Sequence, residues 1–208
     1  YMDSLGIERY DAEGNVIGEH RFLGLYTSAA YNRNPRGIPL LRRKLEHVLG
    51  RARLRQDSHA GKALINILET HPRDELFQSE PDQLYETAKG ILHLQERQRV
   101  RLFVRYDTYR RFVSCLVYAP RERYDTQVRK EMQRLLQDAF NGSQSEFAVQ
   151  LSESVLARIH FIIRLSEPGQ PEYDHAELEH RLAATMRSWN DDFHDALLEH
   201  FGEEAGNR

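Results

Sequence analysis

The sequence predicts an α+β protein in two parts. A β-hairpin and a small helical subdomain fill residues 1–96, and a ββαββα unit with a long last helix fills residues 97–208. Three observations carry this reading. First, the run from Arg99 to Tyr106 alternates charge with bulk, and the run from Arg111 to Tyr118 answers it across the short polar turn Asp107 to Arg110. Such alternation, rich in β-branched and aromatic residues, marks a hairpin. Second, Tyr124, Val128, Met132, Leu135, Leu136, Ala139 and Phe140 fall on one face of a helix that Asn141 and Gly142 stop. Third, a second strand pair follows, with Phe147, Val149 and Leu151 in one run and Val155 to Leu165 in the next, turning at 152–154. Placing the last strand of a βαββαβ ferredoxin-like plait at the front gives ββαββα. A circularly permuted plait is therefore expected, a four-stranded antiparallel sheet with its helices on one face.

The elements before the plait follow in order. Residues 8–10 and 16–25 flank Asp11 to Gly14, a turn with glycine placed for positive φ. Two strands alone bury too little surface to be stable, so this hairpin is expected to belong to a larger sheet whose other strands lie upstream. Residues 26–37 read as a polar connector. Pro39 then suits the first turn of a helix with Leu40, Leu41, Leu45, Val48 and Leu49 on its inner face as far as Gly50. Ser58 caps a second helix with Leu64, Ile67 and Leu68 inward. Residues 74–77 make a short step, and Pro81 opens a third helix with Leu84, Ala88, Ile91 and Leu92 inward.

After the plait's last strand, Pro168 to Pro171 breaks the chain. Asp174 and Glu177 then form a start close to a capping box. Apolar residues recur from Leu178 to Phe201 at helical spacing, which predicts one helix of about 28 residues, or ~42 Å at 1.5 Å per residue. A plait needs about half of that. Trp189, Phe193, Leu197 and Phe201 are therefore expected to overhang and to meet a segment outside this chain.

Composition narrows the function classes. The chain is 40% hydrophobic and 29% charged, with net charge −3 and a single cysteine, Cys115. One cysteine forms no internal disulfide and fits a reducing cytosol. No apolar run approaches the ~20 residues of a membrane span, and no leader pattern opens the chain. The charge is uneven. Eleven Lys or Arg stand against four Asp or Glu between Arg97 and Arg134, a net of +7, and eleven acids against three Arg between Glu167 and Arg208, a net of −8. Opposed segments of this kind can pair within a domain or between subunits.

A search for chemistry finds none. Glycine-rich phosphate loops of the G-x-G-x-x-G or Walker type are absent. His175 and His180, like His194 and His200, stand at spacings that do not share a helix face for a metal. Ser28 lacks a nucleophile elbow. Arg99, Arg101 and Arg105 fall on one strand face around Phe103, a pattern some RNA-binding sheets use, without the glycine–aromatic motif of those modules. An RNA-binding plait is thus the lesser reading, and no nucleic acid or membrane partner is expected. The residues alone describe a two-part α+β regulatory or interaction module. Its candidate interface residues are Arg99, Arg101, Arg105, Trp189, Phe193, Leu197 and Phe201.

Seven stretches resemble one family, in the family's order: Arg21-Phe-Leu-Gly-Leu-Tyr-Thr-Ser-Ala-Ala-Tyr31, Ile38-Pro-Leu-Leu-Arg-Arg-Lys44, Lys62-Ala-Leu-Ile-Asn-Ile-Leu-Glu-Thr70, Pro72-Arg-Asp-Glu-Leu-Phe-Gln78, Leu94-Gln-Glu-Arg-Gln-Arg-Val-Arg-Leu-Phe-Val-Arg105, Pro120-Arg-Glu-Arg-Tyr124 and Gln150-Leu-Ser-Glu-Ser-Val-Leu-Ala-Arg158. They are similar to the large-subunit, NAD-specific glutamate dehydrogenases of bacteria. The resemblance implies an excised N-terminal regulatory piece of a much longer subunit, with an ACT-like plait and with the NAD site and catalytic residues in a domain downstream. None of the family's catalytic residues, and no cofactor or metal site, carries over to this sequence. The whole enzyme is expected to oxidise L-glutamate to 2-oxoglutarate and ammonium with NAD, in the cytoplasm and as a homo-oligomer, a tetramer. For this part the resemblance implies assembly and coupling to other domains of the same chain. The alternative is an allosteric sensor that binds an amino-acid effector. Sensory ACT domains usually carry a glycine in the turn after their first strand, and neither Asp107 to Arg110 nor Ser152 to Ser154 contains one.

Overall fold

The computed structural model describes residues 3–94, 97, 99–151 and 154–187. The chain divides into two compact units, Tyr1–Ala88 and Lys89–Arg208, so the division falls inside a helix and not after it, at 96/97.

In the first unit, β1 (Asp3–Tyr10) and β2 (Val16–Gly24) pair antiparallel from Asp3↔Gly24 to Tyr10↔Val16. The Asp11 carboxylate closes the turn by accepting from the Glu13 and Asn15 amides at 3.0 and 2.8 Å, and Gly14 takes φ +88°. Residues 26–37 hold more structure than a connector. They contain the short helix α1 (Ser28–Asn32) and a 3-10 turn at Pro35–Gly37, which Asn34 caps through the Arg36 amide. Polar side chains hide short helices from a periodicity count, and local capping stabilises them here.

Helix α2 (Pro39–Ala52) buries Leu41, Leu45 and Val48, while Leu40 is 47% exposed and leaves the predicted inner face. The helix also passes Gly50 and ends at Arg53, which adopts φ +51°. Ser58 caps α3 (His59–Thr70) by accepting from the Gly61 amide, and Leu64, Ile67 and Leu68 are buried as expected. The step at 74–77 is a helix, α4 (Arg73–Gln78), and α5 (Pro81–Leu94) follows. The end of α4 is held by Lys44 of α2, whose ammonium donates to the Leu76, Phe77 and Ser79 carbonyls at 3.1, 2.6 and 2.7 Å. A cation over the carbonyl end of a helix satisfies orphan acceptors and favours the helix dipole.

The second unit is the plait. Strands β3 (Arg101–Tyr106), β4 (Phe112–Pro120), β5 (Gly142–Gln150) and β6 (Leu156–Leu165) form one antiparallel sheet in the order β3-β4-β6-β5. Renumbered with β3 last, that order is the 4-1-3-2 of a ferredoxin-like plait, which is the predicted permutation. Helix α6 (Thr126–Ala139) joins β4 to β5, and α7 (His175–Ala184) follows β6. Val113, Cys115, Val117, Ile159, Phe161 and Ile163 make the sheet side of the core, and Met132, Leu136, Phe140, Leu178 and Leu182 make the helix side. Cys115 is fully buried there as a small hydrophobe. Asn141 takes φ +50° beyond α6, and a Cβ at Gly142 would sit 2.4 Å from the Ile163 methyl, so this corner needs glycine.

Two expectations change in this unit. The unbroken helix from Asp174 to Phe201 closes at Ala184: the Thr185 amide bonds to the Ala183 and Arg181 carbonyls, and its hydroxyl donates to the Leu182 carbonyl at 2.7 Å. The second face of the sheet is not open either. Phe112, Ser114, Leu116 and Tyr118 of β4 are all buried, and the Phe103 ring lies so close to Gly90 of α5 that an added Cβ would approach it to 2.6 Å.

Candidate functional site

The two edges of the sheet differ in what their backbone groups meet. On the β3 side, the Leu102 amide points away from β4 and donates to Glu179 Oε2 of α7 at 2.9 Å. Arg101 Nη1 donates to the other carboxylate oxygen, Oε1, at 2.9 Å, and His175 stands 3.7 Å from the same group. One carboxylate thus neutralises an edge amide and an edge arginine together. At the far end of β3 the Asp107 carboxylate accepts from Arg111 Nε at 2.7 Å and Nη2 at 3.2 Å. Burial would push the Asp107 carboxyl up, but the hydrogen bonds and charge of Arg111 hold it below the ordinary range.

The aromatic side chains at this end of the core behave as a buried cluster. The Tyr106 hydroxyl donates to the Pro171 carbonyl at 2.9 Å, and the Phe140 ring lies edge-on to both Tyr106 and Tyr173. Burial, with Tyr106 and Cys115 nearby, pushes the Tyr173 phenol up to about 12. These groups remain protonated across the physiological range and serve packing.

On the β5 side, β6 settles the orientation of the backbone. The Leu165 amide donates to the Arg111 carbonyl, so odd residues of β6 face β4 and even residues face β5. The β5 partners of those even residues, Gln144, Glu146, Ala148 and Gln150, face inward. Ser145, Phe147 and Val149 therefore turn their N–H and C=O groups outward, and among the described residues nothing pairs with them. Their side chains lie on the helix face: Ser145 Oγ accepts from Gln133 Nε2 at 2.6 Å, and the Arg129 guanidinium stacks 4.0 Å above the Phe147 ring, which is 46% exposed.

The candidate residues fall in different places. Arg99 is exposed and precedes β3, its amide bonded to the Arg97 carbonyl. Arg101 is held by Glu179, and Arg105 is 7% exposed. Trp189, Phe193, Leu197 and Phe201 lie outside the described residues. The edge lock at Glu179 was not found from sequence, since a lone glutamate on the polar side of a helix carries no periodic signal. The outward set of β5 was legible only as alternation. Ser114 and His160 meet across β4 and β6 at 2.8 Å between Oγ and Nε2, a cross-strand contact rather than a ligand pair.

Other clusters add little chemistry. An open groove of about 420 Å³ runs along α6, lined by Val128, Lys130, Glu131, Arg134 and Thr185, and its charges are already paired between Glu131 and Arg134 at 2.6 Å. Among the described residues no group of three or more His, Cys, Asp or Glu could hold a metal ion, and no helix is long and apolar enough to cross a membrane. A dinucleotide sits in the crevice of a parallel βαβ sheet. This sheet is antiparallel throughout and offers no such crevice.

Comparison with known proteins agrees with this architecture. Residues 38–97 match the model for glutamate dehydrogenase, helical motif 1, and residues 101–190 match that for glutamate dehydrogenase, ACT2 domain. The chain is 48% identical over 207 residues to an NAD-specific glutamate dehydrogenase of Halomonas elongata, covering 100% of this chain and 13% of that protein. It is 41% identical over 206 residues to the one of Pseudomonas aeruginosa, covering 99% of this chain and 13% of that protein. With the one of Mycobacterium tuberculosis it shares 38% over 169 residues, or 81% of this chain and 10% of that protein. The chain thus spans about an eighth of its first two relatives (13%). With both modules present in order and the similarity running end to end, it belongs to the family of the NAD-specific glutamate dehydrogenases, of which it represents helical motif 1 and the ACT2 domain.

Proposed function

We propose that this region is a non-catalytic regulatory and assembly part of a cytoplasmic, oligomeric glutamate dehydrogenase. The whole protein would convert L-glutamate, NAD and water to 2-oxoglutarate, ammonium and NADH in a domain other than these two units. The names of the relatives support the reaction, and the unpaired, buried thiol of Cys115 supports a reducing compartment. The observation that carries the assembly role is the asymmetry of the sheet. One edge is locked by Glu179, and the other presents the outward groups of β5, the arrangement through which sheets are extended.

An amino-acid sensor is the competing role. The β3–β4 turn speaks against it, because it closes on its own side chains, Asp107 on Arg111, with Arg110 at φ +56° where a glycine would open backbone to a ligand. Thermal unfolding of the chain against each of the twenty amino acids separates the two. A ligand at ~100 times its Kd adds about 2.7 kcal/mol, a shift of several degrees for a domain of this size. The expected result is no saturable shift with any of them, together with sedimentation that depends on protein concentration. A saturable shift with one amino acid would make the plait a sensor.

A further inference from the structure

We propose that β5 pairs with β5 of a second copy of this chain, antiparallel and centred on Phe147, so that two four-stranded sheets join into one of eight. The inference rests on the assembly role proposed above and assigns it a surface and a register. Three residues turn their backbone outward: Ser145, Phe147 and Val149. A set symmetric about its middle member is self-complementary under a two-fold axis. With the axis perpendicular to the sheet at Phe147, that residue exchanges both bonds with its own copy. Ser145 then exchanges bonds with Val149 of the second copy, and Val149 with Ser145 in turn, on the order of six main-chain bonds in all.

The neighbouring registers are poorer. Centring on Glu146 sets two carboxylates face to face across the seam, which is destabilising. Centring on Ala148 pairs Ser145 with Leu151, which lies beyond the end of β5 at Gln150 and wastes an outward pair. The Phe147 register places each Glu146 opposite an Ala148. It also keeps α6 and α7 of both copies on the same side of the joined sheet, because odd residues of β5 lie on the helix face in both. The two exposed Phe147 rings meet at the axis, each with Arg129 on its outer face. The β3 edge cannot offer the same surface, since Glu179 occupies the Leu102 amide.

The test is a cysteine scan of the 208-residue chain under mild oxidation, with the wild type, whose one thiol is buried, as background. In a hydrogen-bonded antiparallel pair the Cα atoms stand about 5.5 Å apart, within disulfide range. Phe147→Cys is expected to cross-link to its own copy, and Glu146→Cys and Ala148→Cys to stay at background. Phe147→Pro provides a second arm: it removes an outward amide and spares the ladder to β6, a substitution edge strands tolerate. It is expected to weaken self-association about tenfold or more with an unchanged circular dichroism spectrum. A dimer that cross-links best at 146 or 148, or that survives Phe147→Pro, overturns this pairing and leaves the assembly role standing. A chain that sediments as a monomer at every concentration overturns both.

Discussion

The molecule contains two antiparallel sheets of similar strand length and opposite circumstance. In the four-stranded sheet every residue of β4 is buried, and the core of α6 and α7 covers one side. In the two-stranded ribbon of β1 and β2, Leu5, Ile7, Phe22 and Leu23 are 46%, 51%, 57% and 66% exposed. Leu5 and Phe22 face one another across the ribbon. Backbone pairing is the same in both, so hydrogen bonds do not make the difference. A central strand needs neighbours on both sides and cover on its faces before apolar side chains leave water, and burial at about 25 cal/mol per Å² is what stabilises a sheet.

Three substitutions sharpen that contrast. Phe161→Ala removes a fully buried ring from the middle of the plait, and a loss of about 3–5 kcal/mol is expected, read as a lower urea midpoint at constant m-value. Retention of most of the stability would mean that the sheet core is not what holds the second unit. Glu179→Ala strands the Leu102 amide and the Arg101 guanidinium together, with an expected cost of about 1.5–3 kcal/mol. Glu179→Gln should recover part of it by still accepting from the amide, and an equal loss in both variants would point to charge alone. Phe22→Ser is the smallest case. In this chain it should change stability by less than about 0.5 kcal/mol, and a larger loss by calorimetry would show that the ribbon is covered after all.

The contrast also marks what a sequence reveals. Alternation around Asp107 to Arg110 located β3 and β4, and the apolar steps from Met132 to Phe140 located α6, because each signal is local and repeats. Caps were legible for the same reason: Ser58 and Asp174 both accept from helix amides as read. Strand starts were less so. The alternating run begins at Arg99, yet pairing begins at Arg101, opposite Tyr118, because β4 ends at Pro120 and a proline donates nothing further.

Long-range polar contacts were invisible. Glu179 is 77 residues from Leu102, and nothing in either segment announces the other. Leu40 failed for a geometric reason. It lies beside Leu41 at the first turn of α2, where only one of two adjacent residues can face inward. The second face of the sheet was misread because Arg101, Phe103 and Arg105 carry charge, which suggests solvent, whereas Phe112, Leu116 and Tyr118 behind them are buried.

Lys44 has a consequence for surface chemistry. The chain has four lysines, and three of them, Lys62, Lys89 and Lys130, are exposed amines that an acylating reagent meets at once. The fourth has three carbonyl oxygens within 3.1 Å of its ammonium. It can react only as the free base, after the end of α4 has let go. The pace at which Lys44 takes up a label therefore reads the opening of the helical unit, in a chain whose other lysines report only their own reactivity.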